Sequence, residues 1–438
     1  MSPYTRWLAR RDVLFTAAML FAVAGARVSL WRALSPRDAS FMWHTDCDMV
    51  VIKQGLDKAP RPADTLSWWT GTWVGQVPFW RPLTSYLFWA QWKLFGWYNQ
   101  DAWQLVQVIS HVLACAAAFV FMEALTGKPA MGVLASALFN VGLRPYWFLQ
   151  LTECPAVWAM GEWKDSPDQW VAGCVLLAAL FAWRGRLWHA LVAAAFAAMF
   201  KETGFIAFPL LMGLYWVRWR RLPREFAAVI ALAAVMAAIK LQAVGIGYVL
   251  GSNHALAYRL WRFAAGYPLN LLTGWGAPFG VIGVGMAVAV IIRRRPYAAW
   301  GALSASVLLG AFVHYGLCRW GIGYPVDPVT ALVALLESPY RLVCDSLRSA
   351  LWLVLAYAGL SGPYRSRVLA MAGAHLLLGL PPHVAPQVLL HACYPASFFA
   401  VAATTMCLWS FPGWWASRRA EVGVEGEGPP GHECCADG

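Results

Sequence analysis

Apolar runs of about 17–25 residues recur along almost the whole chain, each long enough to cross a hydrocarbon core as a helix. Lipid offers no hydrogen-bond partners, so a helix, which satisfies its own backbone, is the economical way to use such runs. The chain has 438 residues, 60% of them hydrophobic and only 13% charged, with mean hydropathy +0.52. A soluble domain cannot cover that much apolar side chain. The sequence therefore predicts an all-α, polytopic integral membrane bundle of about twelve transmembrane helices. The net charge of +12 does not point to nucleic acid, because much of it sits in short Arg-rich loops between apolar runs.

Those loops set the topology. Basic clusters fall at Arg6/Arg10/Arg11, Arg184/Arg186, Arg218/Arg220/Arg221/Arg224, Arg293/Arg294/Arg295, Arg365/Arg367 and Arg418/Arg419, with Lys128 a weaker member. Placing them all in the cytoplasm gives spans at 13–33, 103–125, 130–148, 168–184, 187–200, 204–217, 225–248, 267–291, 297–315, 341–360, 367–381 and 392–411. Both termini are then inside. The start resembles a signal peptide, with Arg before an apolar stretch and Ala24-Gly25-Ala26 beyond it, but an uncleaved first helix is the simpler reading.

Residues 82–97 have no place in that count. Pro82 suits a first helical turn, but Gln91 and Lys93 interrupt a run of marginal length. The segment is expected to be an interfacial helix inside a long external loop, 34–102, within a membrane domain of 1–418. Residues 419–438, rich in Gly, Glu and Pro, read as a disordered cytoplasmic tail. Its adjacent Cys434 and Cys435 offer no metal spacing and are at most an acylation site. The 27 Trp are expected in interfacial belts, with sugar stacking as the functional rival.

On this map the charged clusters share the external side: Asp46, Asp48, Arg81, Glu153, Lys164, Asp165, Lys201 and Glu202. His254, Arg319, Glu337, His383 and His391 lie there too, as do Lys53, Lys58, Arg61, Arg259 and Arg262. The spans around Lys201-Glu202 are short, so that turn is expected below the membrane surface, lining a cavity that opens outward.

The chemistry follows from residue type. Asp46 and Asp48 would diverge on a helix but share a side in an extended segment. A carboxylate there is a candidate general base, and the pair could hold a divalent cation (Mg or Mn), which the sequence does not require. The bland alternative is a solvated acidic loop. Arg81 precedes a helix N-terminus, where an anion would be doubly served; its alternative is headgroup snorkelling. Lys164 and Lys201 are candidates to neutralise a phosphate, with Asp165 and Glu202 beside them as supporting residues and their expected ion-pair partners. Glu337, Arg341, Asp345 and Arg348 share a helix face, either as an ion-pair stripe or with Arg341 on an anionic headgroup. His111, inside a span, reads as a buried structural residue.

These motifs resemble the C-type, polyprenyl-phosphate-sugar-dependent membrane glycosyltransferases (the GT-C fold). They are most similar to bacterial relatives of the transmembrane-and-tetratricopeptide-repeat O-mannosyltransferases. The resembling stretches are Asp46–Ile52, Phe79–Thr84 with Leu94–Gly96, Trp103–Val106 through His111–Leu113, Trp163–Asp165, and Lys201–Gly204 with Pro209-Leu210, in the family's order. The resemblance implies a sugar donor on a polyprenyl phosphate and transfer, with inversion, to an acceptor (glycan, lipid or protein) on the external face. It also implies a place in the bacterial inner (cell) membrane. The chain departs from the family twice: Cys47 splits the acidic pair, leaving open which Asp is catalytic, and the tetratricopeptide repeats are absent. The rival readings are a transporter or lipid flippase, an outer-face polymer ligase using Arg319, His383 and His391, and a non-catalytic member.

Overall fold

The computed structural model describes residues 11–34, 47–74, 79–97, 99–141, 166–221, 223–245, 277–292, 295–319, 339–384 and 394–423. Among these every regular element is helical and there is no strand. The helices are α1 (Arg11–Leu34), α2 (Cys47–Asp57), α3 (Pro82–Phe95), α4 (Gln100–Thr126), α5 (Pro129–Val141), α6 (Ser166–Trp183) and α7 (Leu187–Phe200). They continue as α8 (Ala207–Trp219), α9 (Phe226–Val244), α10 (Ala277–Ile291), α11 (Pro296–Arg319), α12 (Pro339–Ser361), α13 (Arg365–Val384) and α14 (Tyr394–Gly423). Among the described residues two 3₁₀ turns, Pro62–Trp69 and Glu202–Ile206, interrupt the sequence of helices. Among the described residues, three helices are long and apolar enough to cross a membrane: Asp101–Thr126, Phe226–Val244 and Ala396–Arg418. Shorter apolar helices include Pro129–Asn140, Pro167–Trp183 and Leu187–Phe200.

Most of the core lies around α6, which packs against α4, α7, α8 and α14. Small side chains make this possible. Ala172, Ala178, Ala179 and Ala182 on α6, and Ala190, Ala194, Ala197 and Ala198 on α7, are fully or almost fully buried. Backbones approach closely where side chains end at Cβ. Phe121, Phe139, Phe398 and Phe399 fill the wider gaps between α4, α5 and α14.

Residues 47–103 build a second, separate core from Ile52, Leu56, Trp68, Trp73, Val74, Phe88 and Trp103. We call this region the cap. Three of its tryptophans are pinned by their indole N–H groups: Trp80 donates to Trp69 O, Trp89 to Ala59 O and Trp103 to Gly96 O, each at 2.9 Å. The expectation of interfacial belts fails for Trp68, Trp73, Trp80 and Trp103, which are buried. The expected helix at 82–97 is α3, with Pro82 in its first turn and Gly96 (φ 69°) ending it. Gly55 lets α2 meet the chain at Val74, because a Cβ there would lie 1.7 Å from Val74 O.

Chain direction and side-chain contacts define two ends of the bundle. Arg11 pairs with Glu123 at 2.6 Å, and Lys128 lies over the rings of Trp409 and Tyr364. Arg184, Arg186 and Arg218 to Arg224 sit at the ends of α6, α7 and α8 that face this way. The cap and the turn at 201–206 lie at the other end.

Candidate active site

Helix α7 stops at Phe200 because Lys201 takes an extended conformation, φ −158°, ψ 155°. The chain then makes the 3₁₀ turn Glu202–Ile206 and re-enters the bundle as α8. Gly204 permits this tight reversal: a Cβ there would lie 2.0 Å from Ala197 O. Thr84 of α3 donates its hydroxyl to Phe200 O, which seats the cap on the end of α7. Lys201, Glu202 and Thr203 are thus held where cap and bundle meet.

Arg81, the residue before α3, reaches across this junction. Its Nη2 and Nε donate to Glu202 Oε2 at 2.7 and 2.9 Å. The guanidinium lies over Phe79 at 4.1 Å and Trp73 at 5.1 Å, an arrangement that fixes its plane. Burial alone would push the Glu202 carboxyl up; the charge and hydrogen bonds of Arg81, helped by the charge of Lys240, hold it below the ordinary glutamate value.

Lys201 pairs differently from the sequence expectation. Its ammonium donates to Asp168 Oδ2 at 2.7 Å, and the two side chains are 8% and 0% exposed. Glu202, the expected partner, belongs to Arg81. The reason is backbone geometry: at the end of a helix, extended Lys201 and the following 3₁₀ turn send neighbouring side chains to different elements.

Several buried polar atoms here have no hydrogen-bond partner. Among the described residues these include Trp73 Nε1, Asp168 Oδ1, Trp170 Nε1, Glu202 Oε1 and Thr203 Oγ1. Trp170 stacks on Phe200, next to Lys201, and Trp73 underlies Arg81. All five therefore belong to residues that form or border the 200–203 turn. Buried polar groups are normally satisfied, so such a concentration is unusual, and polar ligand atoms or water would satisfy it.

The other expected site residues are not brought into this description. Asp46, Lys164 and Asp165 lie outside the described residues, as do Glu153, His254, Glu337 and His391. Asp48 falls in the first turn of α2 rather than in an extended segment, and Arg341, Asp345 and Arg348 fall on α12. For these four, and for Arg319 and His383, the backbone is helical and the side chains lie outside the described part. His111 is buried as expected, bonded to Asn140 at 2.8 Å, and Asn140 donates to Phe21 O. Among the described residues no group of three His, Cys, Asp or Glu side chains could hold a metal ion. The fit of Mg or Mn to Asp46 and Asp48 rests on side chains beyond that description.

Two site residues escaped the sequence reading. Asp168 is the charge that opens the apolar run of α6, and Lys240 is an isolated charge inside the apolar run of α9. The rarity of charges in such runs was the available signal. Compared with protein-family models, curated proteins and solved structures, the chain gives no match in any of the three.

Proposed function

We propose that the protein is an integral membrane glycosyltransferase that moves a sugar from a polyprenyl-phosphate-linked donor to an acceptor on the external face. In this reading the helices form about twelve spans, with the basic end cytoplasmic and the cap external. What supports it most is the meeting of Arg81 and the Lys201-Glu202-Thr203 turn, two motifs far apart in sequence, at the end of the bundle away from the basic clusters. The unpartnered polar atoms at that junction add to it.

The chemistry is a displacement at the anomeric carbon. The acceptor oxygen attacks, its proton passes to Asp46 or Asp48, and the bond from the sugar to the phosphate oxygen breaks. The configuration inverts and polyprenyl phosphate leaves with the bonding electrons. Negative charge grows on the phosphate, so fixed cations are the main lever. Arg81 is the best placed of them. Lys164 and Arg341 are further candidates, and Lys201 would act from within its pair with Asp168.

The test is sugar transfer from a polyprenyl-phosphate donor to acceptor by the purified, folded protein. Asp→Asn at the catalytic one of Asp46 and Asp48 should lower turnover by about 10²–10⁴-fold while leaving donor binding intact. Full activity in both single variants and in the double variant would overturn the assignment and move the transporter reading ahead.

A further inference from the structure

Lys240 is the one charged residue between Phe226 and Val244. A lysine near a helix end often reaches out to lipid headgroups. This one turns inward: its ammonium lies over the ring of Phe205 at 5.2 Å, inside the turn that carries Glu202. Its charge is one of those that hold Glu202 ionised.

The charges around this turn do not balance. Arg81 pairs with Glu202, Lys201 pairs with Asp168, and Lys240 lies over Phe205 of the same turn, so the described part of the cluster carries an excess of one positive charge. Lys201 and Asp168 neutralise each other. The surplus therefore lies with Arg81 and Lys240: the single carboxylate of Glu202 is bonded to Arg81 and feels the charge of Lys240. An uncompensated charge in a half-buried, low-dielectric setting is costly unless a counter-ion arrives. The hydrogen bonds show where it would bind. Glu202 takes the Nε and Nη2 edge of the Arg81 guanidinium through a single oxygen. A guanidinium has five donors in a rigid fork, so the edge carrying Nη1 stays available to another acceptor among the described residues.

We propose that Arg81 and Lys240 together bind one phosphate group, with Glu202 as the positioning residue that orients Arg81. The proposal rests on the donor reading above and sharpens it, because a sugar phosphodiester carries one negative charge and a diphosphate carries more. A phospholipid headgroup is a phosphodiester too, and free phosphate offers the same oxygens with between one and two charges at neutral pH, so the test must separate the sources.

The full chain is purified in a maltoside detergent, which brings no phosphate of its own. Binding of a long-chain polyprenyl monophosphate, phosphatidylglycerol and inorganic phosphate is measured by native mass spectrometry, with thermal stability recorded for every variant. We expect saturable binding of the polyprenyl monophosphate, weakened about tenfold or more by Lys240→Gln, the size of one charge-assisted contact. Lys240→Arg should largely keep it. Should Lys240→Gln not fold, Phe205→Leu, which removes the ring under the ammonium but no charge, is expected to weaken binding by a smaller factor. Unchanged affinity in Lys240→Gln, or equal losses in the Gln and Arg variants, would overturn the Lys240 assignment while leaving the enzyme reading intact. Equal binding of phosphatidylglycerol by the wild type would keep the phosphate site and remove the polyprenyl donor. Failure of the wild type to bind any of the three probes would overturn both.

Discussion

Helices α6 and α7 meet through alanines, whereas the cap is filled with tryptophan. Alanine packing depends on backbones lying close, so its tolerance is set by a few tenths of an ångström. Tryptophan packing buries large rings, and three of them, Trp80, Trp89 and Trp103, direct their N–H to a particular carbonyl, so the geometry there is fixed by side chains. One region is suited to lipid on its outside and the other to water or an interface. Among the described residues, five of the eight buried polar atoms without a partner gather where the two meet. The candidate site lies at the seam between the two.

Three changes would break or sharpen that contrast. The largest effect is expected from Lys201→Ala. It strands Asp168, which is fully buried, and breaking a buried pair costs about 3–5 kcal/mol. Thermal unfolding in detergent should show the loss, and a Lys201→Met, Asp168→Leu double variant should recover most of it. A double variant as unstable as the single would mean that the pair matters for some other reason. Gly55→Ala acts on the cap alone. The added methyl meets Val74 O, a backbone atom that cannot step aside, and such overpacking costs about 1–3 kcal/mol. Hydrogen exchange should rise in 47–95 and stay unchanged in α6 and α7; a uniform rise would merge the two regions into one cooperative unit.

The smallest effect concerns pH. Glu202 is held below its ordinary value of 4.5, so its contribution to stability is fully present above that value. It is lost as pH falls through the lower folded-state value, because the unfolded chain takes up the proton first. The stability difference between wild type and Glu202→Gln should therefore be constant near neutrality and shrink in the acid range below pH 4.5. A difference that does not change with pH would show that the Arg81 contact does not depend on charge.

The helices were legible because apolar runs and basic loops are local signals. Each expected span overlaps one of the helices, and the helix expected at 82–97 begins at Pro82. Glu202 and Arg81 were both singled out, but their pairing was not, because they are far apart in sequence and only the fold of the cap brings them together. The mispairing of Lys201 has the same origin. Adjacent charges look like partners in a sequence, but an extended residue at a helix end separates them. Lys240 was missed for a different reason. A lone lysine in an apolar helix forms a cluster only in three dimensions.

The shortness of α7 and α8 has a consequence for the membrane itself. The two helices have 14 and 13 residues. At ~1.5 Å per residue they are roughly 20 Å long, against a hydrocarbon layer of about 30 Å. In the proposed spanning arrangement the bilayer must pinch beside them or they must be shielded by neighbours, and each ångström of mismatch costs a fraction of a kcal/mol. The protein would then carry its own thin spot in the lipid, located beneath the 201–206 turn. Its stability would depend on acyl-chain length, and it would partition toward the thinner of two membranes.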